Sequence, residues 1–440
     1  MIIEKMIIIK NRKRGRSMDN WFDSVKLGIF MHWGIYSVLG VTESWSFFGN
    51  EIGYDEYMNQ LNGFTAKKYN PDEWAELFKK AGARYAVLTS KHHDGVPLWD
   101  TKTTDLNVVN KTPAKRDLVA PYCEAMRNHG LKVGLYYSHL DWNQPDYASI
   151  HPESTEWWAY SKYCAPPEGV PNDYERWERF LQFHKQQLTE LLENYGKIDL
   201  MWFDGVWERT AEQWKFKQMR EYIRKISPDT MVNERIGGYG DYKCPEVSVP
   251  ILPPEGRWEL CYTMNDSWGY KEQDKNYKSL RQIVRTFTEC IGMGGNLLLD
   301  IGPKADGTIC EEQKNLLLGI GKWIDNVSEA IYETQRGLPF GHFYGASTLS
   351  KDKRTLYLFV YDIPVEGICV KGIQNEILDI TALNKKLKLT WQRNGAFLNM
   401  PGQLWIDVPG EALDDVCTVI KLELKDELSL YRGKGGGITA

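Results

Sequence analysis

Short apolar runs alternate with amphipathic segments over the first three quarters of the chain. The apolar runs predict buried strands at residues 27–31, 85–89, 133–137, 200–203, 231–233, 260–262 and 296–299. Helical spacing predicts helices between them, at residues 71–78, 117–128, 175–194, 211–226, 277–291 and 311–331. Strands and helices that alternate in this way form a parallel sheet. We therefore expect an α/β fold, a (β/α)8-like TIM barrel with one strand too weak to recognise.

A doubly wound open sheet is the alternative fold for the same alternation of elements. That fold binds nucleotides through a glycine-rich turn that follows its first strand. Residues 32–40, which follow the first predicted strand, contain no such fingerprint. The barrel is therefore the favoured interpretation.

After residue 337 the pattern changes to short, partly alternating apolar segments separated by turns. These segments lie at residues 356–361, 377–380, 388–391, 404–408 and 418–424, and they predict a C-terminal antiparallel β-sandwich. The predicted organisation is a disordered leader at 1–17, a catalytic barrel at 18–336, a β-sandwich at 337–426 and a flexible tail at 427–440. In the leader, basic residues follow a short isoleucine cluster, the reverse of the order in a secretory signal. We therefore expect a cytoplasmic protein.

Composition narrows the classes of function. With 42% hydrophobic and 26% charged residues the chain is typical of a soluble globular protein, and a net charge of -5 gives no electrostatic case for nucleic-acid binding. The eight cysteines form no CxxC pair, so neither a zinc ribbon nor a thioredoxin-like site is indicated. The 17 tryptophans and 24 tyrosines exceed what a core alone explains and favour a ring-bearing substrate such as a sugar.

The most informative segment is 199–205, Asp-Leu-Met-Trp-Phe-Asp-Gly, in which a buried strand ends on Asp204. Barrel enzymes carry their catalytic groups at the carboxyl ends of strands, which makes Asp204 a candidate nucleophile. The alternative interpretation is that Asp204 caps a helix or accepts hydrogen bonds from loop amides. Polar side chains also follow other predicted strands, among them His32, His92, His93, Tyr137 and Arg235. A barrel would bring all of them to one rim, as in a pocket for a polyhydroxylated ring.

Two further questions concern a metal and a second acid. His92 and His93 could suggest a metal, but a zinc hydrolase needs at least three convergent ligands, neighbours on a strand point to opposite faces, and Lys91 would repel a cation. We therefore expect neither a metal nor a cofactor.

Glycoside hydrolysis needs two carboxyl groups. Glu246, on the loop after the fifth strand, and Glu259, at the next strand, compete for the second position.

Several segments, taken in order, resemble glycoside hydrolase family 29, the α-L-fucosidases. They are 26–34 (KLGIFMHWG), 91–95 (KHHDG), 99–100 (WD), 134–138 (GLYYS), 202–205 (WFDG), 267–270 (SWGY) and 295–303 (GNLLLDIGP). The resemblance spans roughly residues 20 to 340. It implies a (β/α)8-like barrel followed by a β-sandwich. It also implies a retaining, exo-acting hydrolase of terminal α-L-fucose that works without a cofactor.

The same resemblance implies roles for individual residues. Asp204 stands where the family has its nucleophile, and Glu246 stands where it has its acid/base, with Glu259 as the rival in a supporting position. The implied fucose-binding residues are His32, Trp45, His92, His93, Tyr137, Trp202, Arg235 and Trp268. Two departures bear on the pocket wall: residues 43–48 read Glu-Ser-Trp-Ser-Phe-Phe instead of Glu-Trp-Tyr, and Val96 stands where phenylalanine is common.

The expected partner is a fucosylated glycan or glycoside, with neither nucleic acid nor membrane involved and homo-oligomerisation left open. Three alternatives remain at this point. The chain could be a non-catalytic fucose-binding protein on a decayed enzyme scaffold, a glycosidase for a related sugar such as galactose, or a metal-dependent barrel hydrolase.

Overall fold

The computed structural model describes residues 21–153, 161–362, 364–397 and 400–433. The predicted leader at 1–17 lies outside the described residues, and so does the end of the predicted tail from 434 on. The described part of that tail is hydrogen-bonded to residues that connect or follow the antiparallel strands. Leu428 N–H donates to Lys353 O at 2.8 Å, and Tyr431 N–H donates to Gly372 O at 2.8 Å.

Seven parallel strands form the first sheet, as the sequence predicts. They are β1 (Leu27–Met31), β2 (Tyr85–Lys91), β3 (Lys132–Ser138), β4 (Leu200–Asp204), β5 (Met231–Val232), β6 (Glu259–Thr263) and β7 (Asn296–Ile301). Their order in the sheet is β5-β4-β3-β2-β1-β7-β6. Nearly every strand residue is buried, because helices cover one face and side chains fill the other.

An irregular segment, residues 241–247, lies between the two edge strands and occupies the eighth position. It makes isolated parallel bridges, Asn233 with Tyr242 toward β5, and Lys243 with Trp258 and Glu246 with Cys261 toward β6. The ring of parallel pairing is therefore complete, and the (β/α)8-like barrel is confirmed. Pro245 has no N–H to donate to a ladder, which explains why this segment is not a regular strand and why its sequence does not reveal it.

The helices lie where the sequence predicts them, with additional short ones. In chain order they are α1 (Trp21–Ser24), α2 (Trp45–Phe48), α3 (Tyr54–Asn59), α4 (Pro71–Lys80), α5 (Val108–Lys111), α6 (Val119–Asn128), α7 (Tyr174–Glu193), α8 (Phe216–Ile226), α9 (Leu280–Gly292) and α10 (Glu311–Ile331). Helix α4 begins at Pro71, and the Asn70 side chain accepts from the N–H groups of Asp72 and Glu73. Helix α8 begins at Phe216 rather than at residue 211.

Two antiparallel sheets follow the barrel. Their strands are β8 (Thr334–Arg336), β9 (Ser347–Ser350), β10 (Thr355–Val360), β11 (Ile368–Lys371), β12 (Ile377–Ala382), β13 (Leu387–Lys388), β14 (Trp391–Asn394), β15 (Gln403–Ile406) and β16 (Thr418–Leu424). The orders are β13-β12-β16-β10-β9-β8 and β11-β15-β14. Leu358, Ile406 and Leu422 belong to a separate apolar core. The Trp323 Nε1–H of α10 donates to Cys417 O at 2.9 Å and connects this region to the barrel.

The barrel interior has a site where only glycine fits. A Cβ added to Gly28 on β1 would lie 2.3 Å from Cζ of Tyr85 on β2. We predict that Gly28→Ala lowers the free energy of unfolding by about 1–3 kcal/mol, because overpacking displaces the tyrosine ring. Urea unfolding measures this. Gly53→Ala is the control, because that exposed position has open space and a φ of -68°; equal stability of both variants would contradict the packing argument.

Candidate active site

A cavity of about 140 Å³ lies at the carboxyl ends of the barrel strands. Eight of the sequence-predicted site residues line it: His32, Trp45, His92, Trp202, Asp204, Arg235, Glu246 and Trp268. Phe30, Glu43, Tyr136 and Trp207 complete the lining. Three predicted residues, His93, Tyr137 and Glu259, are not part of the lining. The strand ends of the barrel thus gather groups that lie far apart in the sequence.

Asp204 is the last residue of β4, and hydrogen-bond donors surround its carboxylate. Oδ1 accepts from Arg235 Nη1 at 2.5 Å and from the Gly205 N–H at 2.9 Å. Oδ2 accepts from the Tyr136 hydroxyl at 2.9 Å, and His93 Nε2 lies 3.7 Å away. The next helix, α8, begins only at Phe216, so Asp204 does not cap it. These donors stabilise the negative charge and fix the direction of the carboxylate.

Arg235 connects the two candidate catalytic carboxyls. Its Nη1 donates to Asp204 and its Nη2 donates to Glu246 Oε1. The guanidinium also lies over the indole of Trp202, 4.6 Å from the ring centroid. The Asp204 side chain is 13% exposed and that of Glu246 is 41% exposed. The Asp204 carboxyl therefore lies inside the cavity and the Glu246 carboxyl lies at its mouth. The two carboxyls contact different nitrogens of the same planar guanidinium.

Three imidazoles lie near Asp204, and each is held through Nδ1. The partners, all at 2.6 Å, are Asp300 for His32, Ser44 for His92 and Ser138 for His93. Burial lowers the pKa of all three rings well below the ordinary 6.5, so they are neutral near pH 7. His32 and His92 line the cavity with their second ring nitrogen uncommitted among the described residues, while His93 lies behind them beside Asp204.

Tyr137 was predicted to bind substrate, but the structure places its neighbour in the cavity. Successive residues of β3 point to opposite faces. The Tyr136 hydroxyl reaches Asp204, whereas the Tyr137 hydroxyl donates to Gln187 Oε1 on α7 at 2.8 Å and accepts from Lys91 Nζ at 3.2 Å. Both faces of the strand are buried, so the sequence carries no alternation that would separate the two tyrosines.

Glu259 is the first residue of β6, at the end of the strand opposite to the cavity, and its side chain does not reach the cavity. Its Oε1 accepts from Trp202 Nε1 at 3.0 Å, and its Oε2 accepts from the Tyr85 hydroxyl. Burial raises the pKa of Glu259 to about 7. Glu259 therefore holds the Trp202 indole from the side away from the cavity, and it cannot contact a sugar in the cavity.

Glu43 and Trp207 were not singled out from the sequence. Glu43 has a φ of 23°, its Oε1 accepts from the Gly269 N–H at 2.5 Å, and burial raises its pKa to about 7. Trp207 stacks on Trp45 with ring centroids 6.1 Å apart. Both residues lie on loops without strand or helix periodicity, so the pattern that identified the strand ends does not extend to them.

Two searches of the structure concern a metal and a membrane. Across the described ranges, no group of three or more His, Cys, Asp or Glu side chains could hold a metal ion. None of the helices in those ranges is both long and apolar enough to cross a bilayer.

Two carboxyls that face a pocket at the carboxyl ends of barrel strands define a glycoside hydrolase of the barrel class. Comparison with known families is more specific. The family model described as Alpha-L-fucosidase matches residues 8–329, and the chain belongs to the α-L-fucosidase family.

Curated relatives and solved structures agree with this assignment. The tissue alpha-L-fucosidase of Homo sapiens is 30% identical over 436 residues, 90% of this chain and 88% of that protein. Alpha-L-fucosidase isoenzyme 1 from Paenibacillus thiaminolyticus superposes with a TM-score of 0.83 at 32% identity, over 93% of this chain and 99% of that one. A Bacteroides thetaiotaomicron enzyme, described as a trapped covalent intermediate with 2-fluoro-fucosyl fluoride, has a TM-score of 0.81 at 25% identity, covering 94% and 97%.

The two neighbouring tyrosines provide a matched pair of variants. We predict that Tyr136→Phe lowers kcat/KM by roughly 10- to 100-fold, because a hydrogen bond to a charged group contributes about 1.5–3 kcal/mol. Tyr137→Phe should lower stability but leave kcat/KM within about twofold, because its hydroxyl contacts Gln187 and Lys91 and does not line the cavity. Steady-state kinetics on an aryl fucoside tests both; equal kinetic losses would contradict the placement of Tyr136.

The buried acid below the cavity predicts a pH effect on stability. In the unfolded chain Glu259 ionises near pH 4.5, whereas the folded protein keeps the proton up to about pH 7. The folded state binds the extra proton in this window, so this contribution to stability is complete below pH 4.5 and is lost as pH rises through 7. Glutamine does not titrate.

We therefore expect the stability of Glu259→Gln relative to the unmodified protein to increase between about pH 5 and about pH 8. Urea unfolding of both proteins at the two pH values measures the difference. A difference that stays constant or decreases would show that Glu259 does not carry the proton.

Proposed function

We propose that this chain is a retaining, exo-acting α-L-fucosidase that releases terminal α-L-fucose from glycans or glycosides. The observation that carries the proposal is the pair Asp204 and Glu246, held by one guanidinium at a cavity suited to a single sugar. Membership of the α-L-fucosidase family supports the sugar. The related structure described as a trapped covalent intermediate supports a double displacement.

In the first step Asp204 attacks the anomeric carbon while Glu246 protonates the glycosidic oxygen, and a covalent fucosyl-enzyme forms as the leaving group departs. In the second step Glu246 accepts a proton from water, and that water displaces Asp204. Arg235, Tyr136 and the Gly205 N–H stabilise the charge that returns to Asp204. A retaining pair lies about 5–5.5 Å apart, which is the separation we expect here when substrate is bound.

The remaining cavity residues bind the sugar in this proposal. Neutral His32 and His92 present a ring nitrogen to the ring hydroxyls, and their Nδ1 partners fix the orientation of that nitrogen. Trp202 and Trp268 cover the apolar methyl edge of fucose, with Trp45 at the opposite wall. His93 acts behind this layer through its contact with Asp204. No step requires a cofactor. The cytoplasmic location, the domain boundaries and any oligomerisation stay predictions.

The nucleophile can be tested by chemical rescue. We predict that Asp204→Gly abolishes turnover of an aryl α-L-fucoside and that azide restores it, with β-fucosyl azide as the product, because azide enters the space of the missing carboxylate and inverts the anomeric carbon. Product anomers are assigned by proton NMR. Substantial residual hydrolysis in Asp204→Gly without azide would remove Asp204 from this role, and binding of fucose without any turnover by the unmodified protein would favour the non-catalytic alternative.

The acid/base has its own rescue signature. In Glu246→Ala, azide should attack the fucosyl-enzyme and give the α-anomer, since the nucleophile remains in place. Glu259→Gln is the matched control, because Glu259 does not reach the cavity and should give no azide product. An α-fucosyl azide from the Glu259 variant and none from the Glu246 variant would reverse the two assignments.

A further inference from the structure

Two histidines that the proposed steps do not use, His139 and His184, lie behind the cavity as a hydrogen-bonded pair. His139 is the first residue after β3, His184 lies on α7, and both are buried. His139 Nδ1 lies 3.1 Å from His184 Nε2, and His139 Nε2 lies 2.8 Å from the carbonyl oxygen of Arg235. This histidine pair therefore connects an outer helix of the barrel to the arginine that contacts both carboxyls.

The chemistry of the final acceptor determines where the protons of both rings lie. A carbonyl oxygen only accepts, so His139 Nε2 must carry the hydrogen that Arg235 O receives. Burial lowers the pKa of His139 to about 3 and that of His184 well below the ordinary 6.5, so each ring carries one proton near pH 7. His139 Nδ1 is then an acceptor, and the proton between the rings belongs to His184 Nε2. Both rings are Nε2–H tautomers, and both donate in the direction of Arg235.

The main chain of Arg235 depends on this contact. Arg235 follows β5 in an irregular turn, and within the described ranges neither its N–H nor its carbonyl is paired with another main-chain group. From this turn the chain continues into residues 241–247, which carry Glu246. A single imidazole N–H therefore holds the point from which both the guanidinium and the segment with the second carboxyl start.

His139 is itself held firmly, as a residue that orients another must be. Its main-chain N–H donates to Asp204 O at 2.8 Å, and its ring stacks on Phe203 with centroids 4.6 Å apart and planes 12° apart. The rings of Phe216 and Trp214 pack against it with centroid distances of 4.8 and 5.4 Å. The imidazole thus connects β4, which ends on Asp204, to the turn that carries the guanidinium.

We propose that His139 and His184 are positioning residues for hydrolysis, which act through Arg235 without touching the substrate. The inference rests on the proposed function, because the orientation of Arg235 affects turnover only if Asp204 and Glu246 perform the reaction. Without the histidine pair, the Arg235 carbonyl loses its donor and the turn can shift. A displacement of about 1 Å at a catalytic group can lower a rate roughly 100-fold, so the histidine pair should act on kcat.

Methionine and glutamine test each position, because the two side chains have similar shapes and only glutamine carries an amide N–H. We expect His139→Met to lower kcat for 4-nitrophenyl α-L-fucoside roughly 10- to 100-fold, and His184→Met about threefold to tenfold, since His184 acts one hydrogen bond further away. His139→Gln and His184→Gln should recover most of each loss, because the amide nitrogen can take the place of the imidazole Nε2. The inhibition constant of fucose should stay within about threefold, because neither histidine lines the cavity.

Two further variants separate positioning from packing. Adding His184→Met to His139→Met should not lower kcat further, because His184 acts through His139. Gln187→Met is the matched control, because Gln187 lies three residues further along α7, is equally buried and is bonded to the Tyr137 hydroxyl rather than to the histidine pair. This control should lower the free energy of unfolding but leave kcat within about twofold.

A spectroscopic measurement tests the tautomers without any turnover. Nitrogen NMR of the protein with isotope-labelled histidine should show a protonated Nε2 and an unprotonated Nδ1 for both rings at pH 7, with each ring assigned by the loss of its signals in the corresponding glutamine variant.

Four results would overturn the inference. They are a proton on His139 Nδ1, equal kcat in the methionine and glutamine variants at either position, a loss of kcat in Gln187→Met as large as in His184→Met, and additive losses in the double variant. An unmodified protein that has the expected tautomers but does not cleave the aryl fucoside would instead overturn the proposed function, and the positioning role with it.

Discussion

The contact of Arg235 with both carboxyls is the interaction on which the site depends. One guanidinium, with its side chain 15% exposed, donates to the buried Asp204 and to the more exposed Glu246. Removing a cation and an anion from water costs several kcal/mol per ion unless each finds a good partner. Arg235 and Asp204 are such partners for each other. Arg235 also fixes the position of the Glu246 carboxyl at the cavity mouth relative to the Asp204 carboxyl inside the cavity. Residues 241–247 fill the eighth position of the barrel between β5 and β6, and this segment places Glu246 within reach of Arg235.

The barrel interior supports the floor of the cavity. Trp202 lies under the Arg235 guanidinium, its indole N–H is bound by Glu259, and Glu259 is bound in turn by Tyr85. Tyr85 fits only because Gly28 has no side chain. Each member is buried, and a buried polar group is stable only when its partner is present. This chain of contacts therefore connects a glycine of β1 to the arginine that orients both carboxyls.

The sequence predicts the regular parts of this structure for a clear physical reason. Strands buried on both faces are continuous apolar runs, and amphipathic helices have a period of 3.6 residues, so seven strands and the long helices were recognisable. The same double burial removes the alternation that would have distinguished Tyr136 from Tyr137. The eighth barrel position was not recognisable because its segment contains Pro245 and polar residues in place of an apolar run. Glu43 and Trp207 lie on loops, where position depends on tertiary contacts that no local pattern records. The end of the fourth strand indicated Asp204, and the family resemblance favoured Glu246 over Glu259. The structure adds that one arginine contacts both carboxyls.

Covalent labelling of the nucleophile tests the central claim most directly. Incubation with 2-fluoro-fucosyl fluoride should trap a fucosyl-enzyme. The fluorine at C2 slows both steps, but the anomeric fluoride is a good leaving group and keeps only the first step fast enough for the intermediate to accumulate. Proteolysis and mass spectrometry should then place a single added fluorofucosyl group on Asp204, and Asp204→Gly should remain unlabelled. A label on Glu246, on Glu259 or on any other residue would contradict the account, as would stoichiometric inactivation that leaves no covalent adduct.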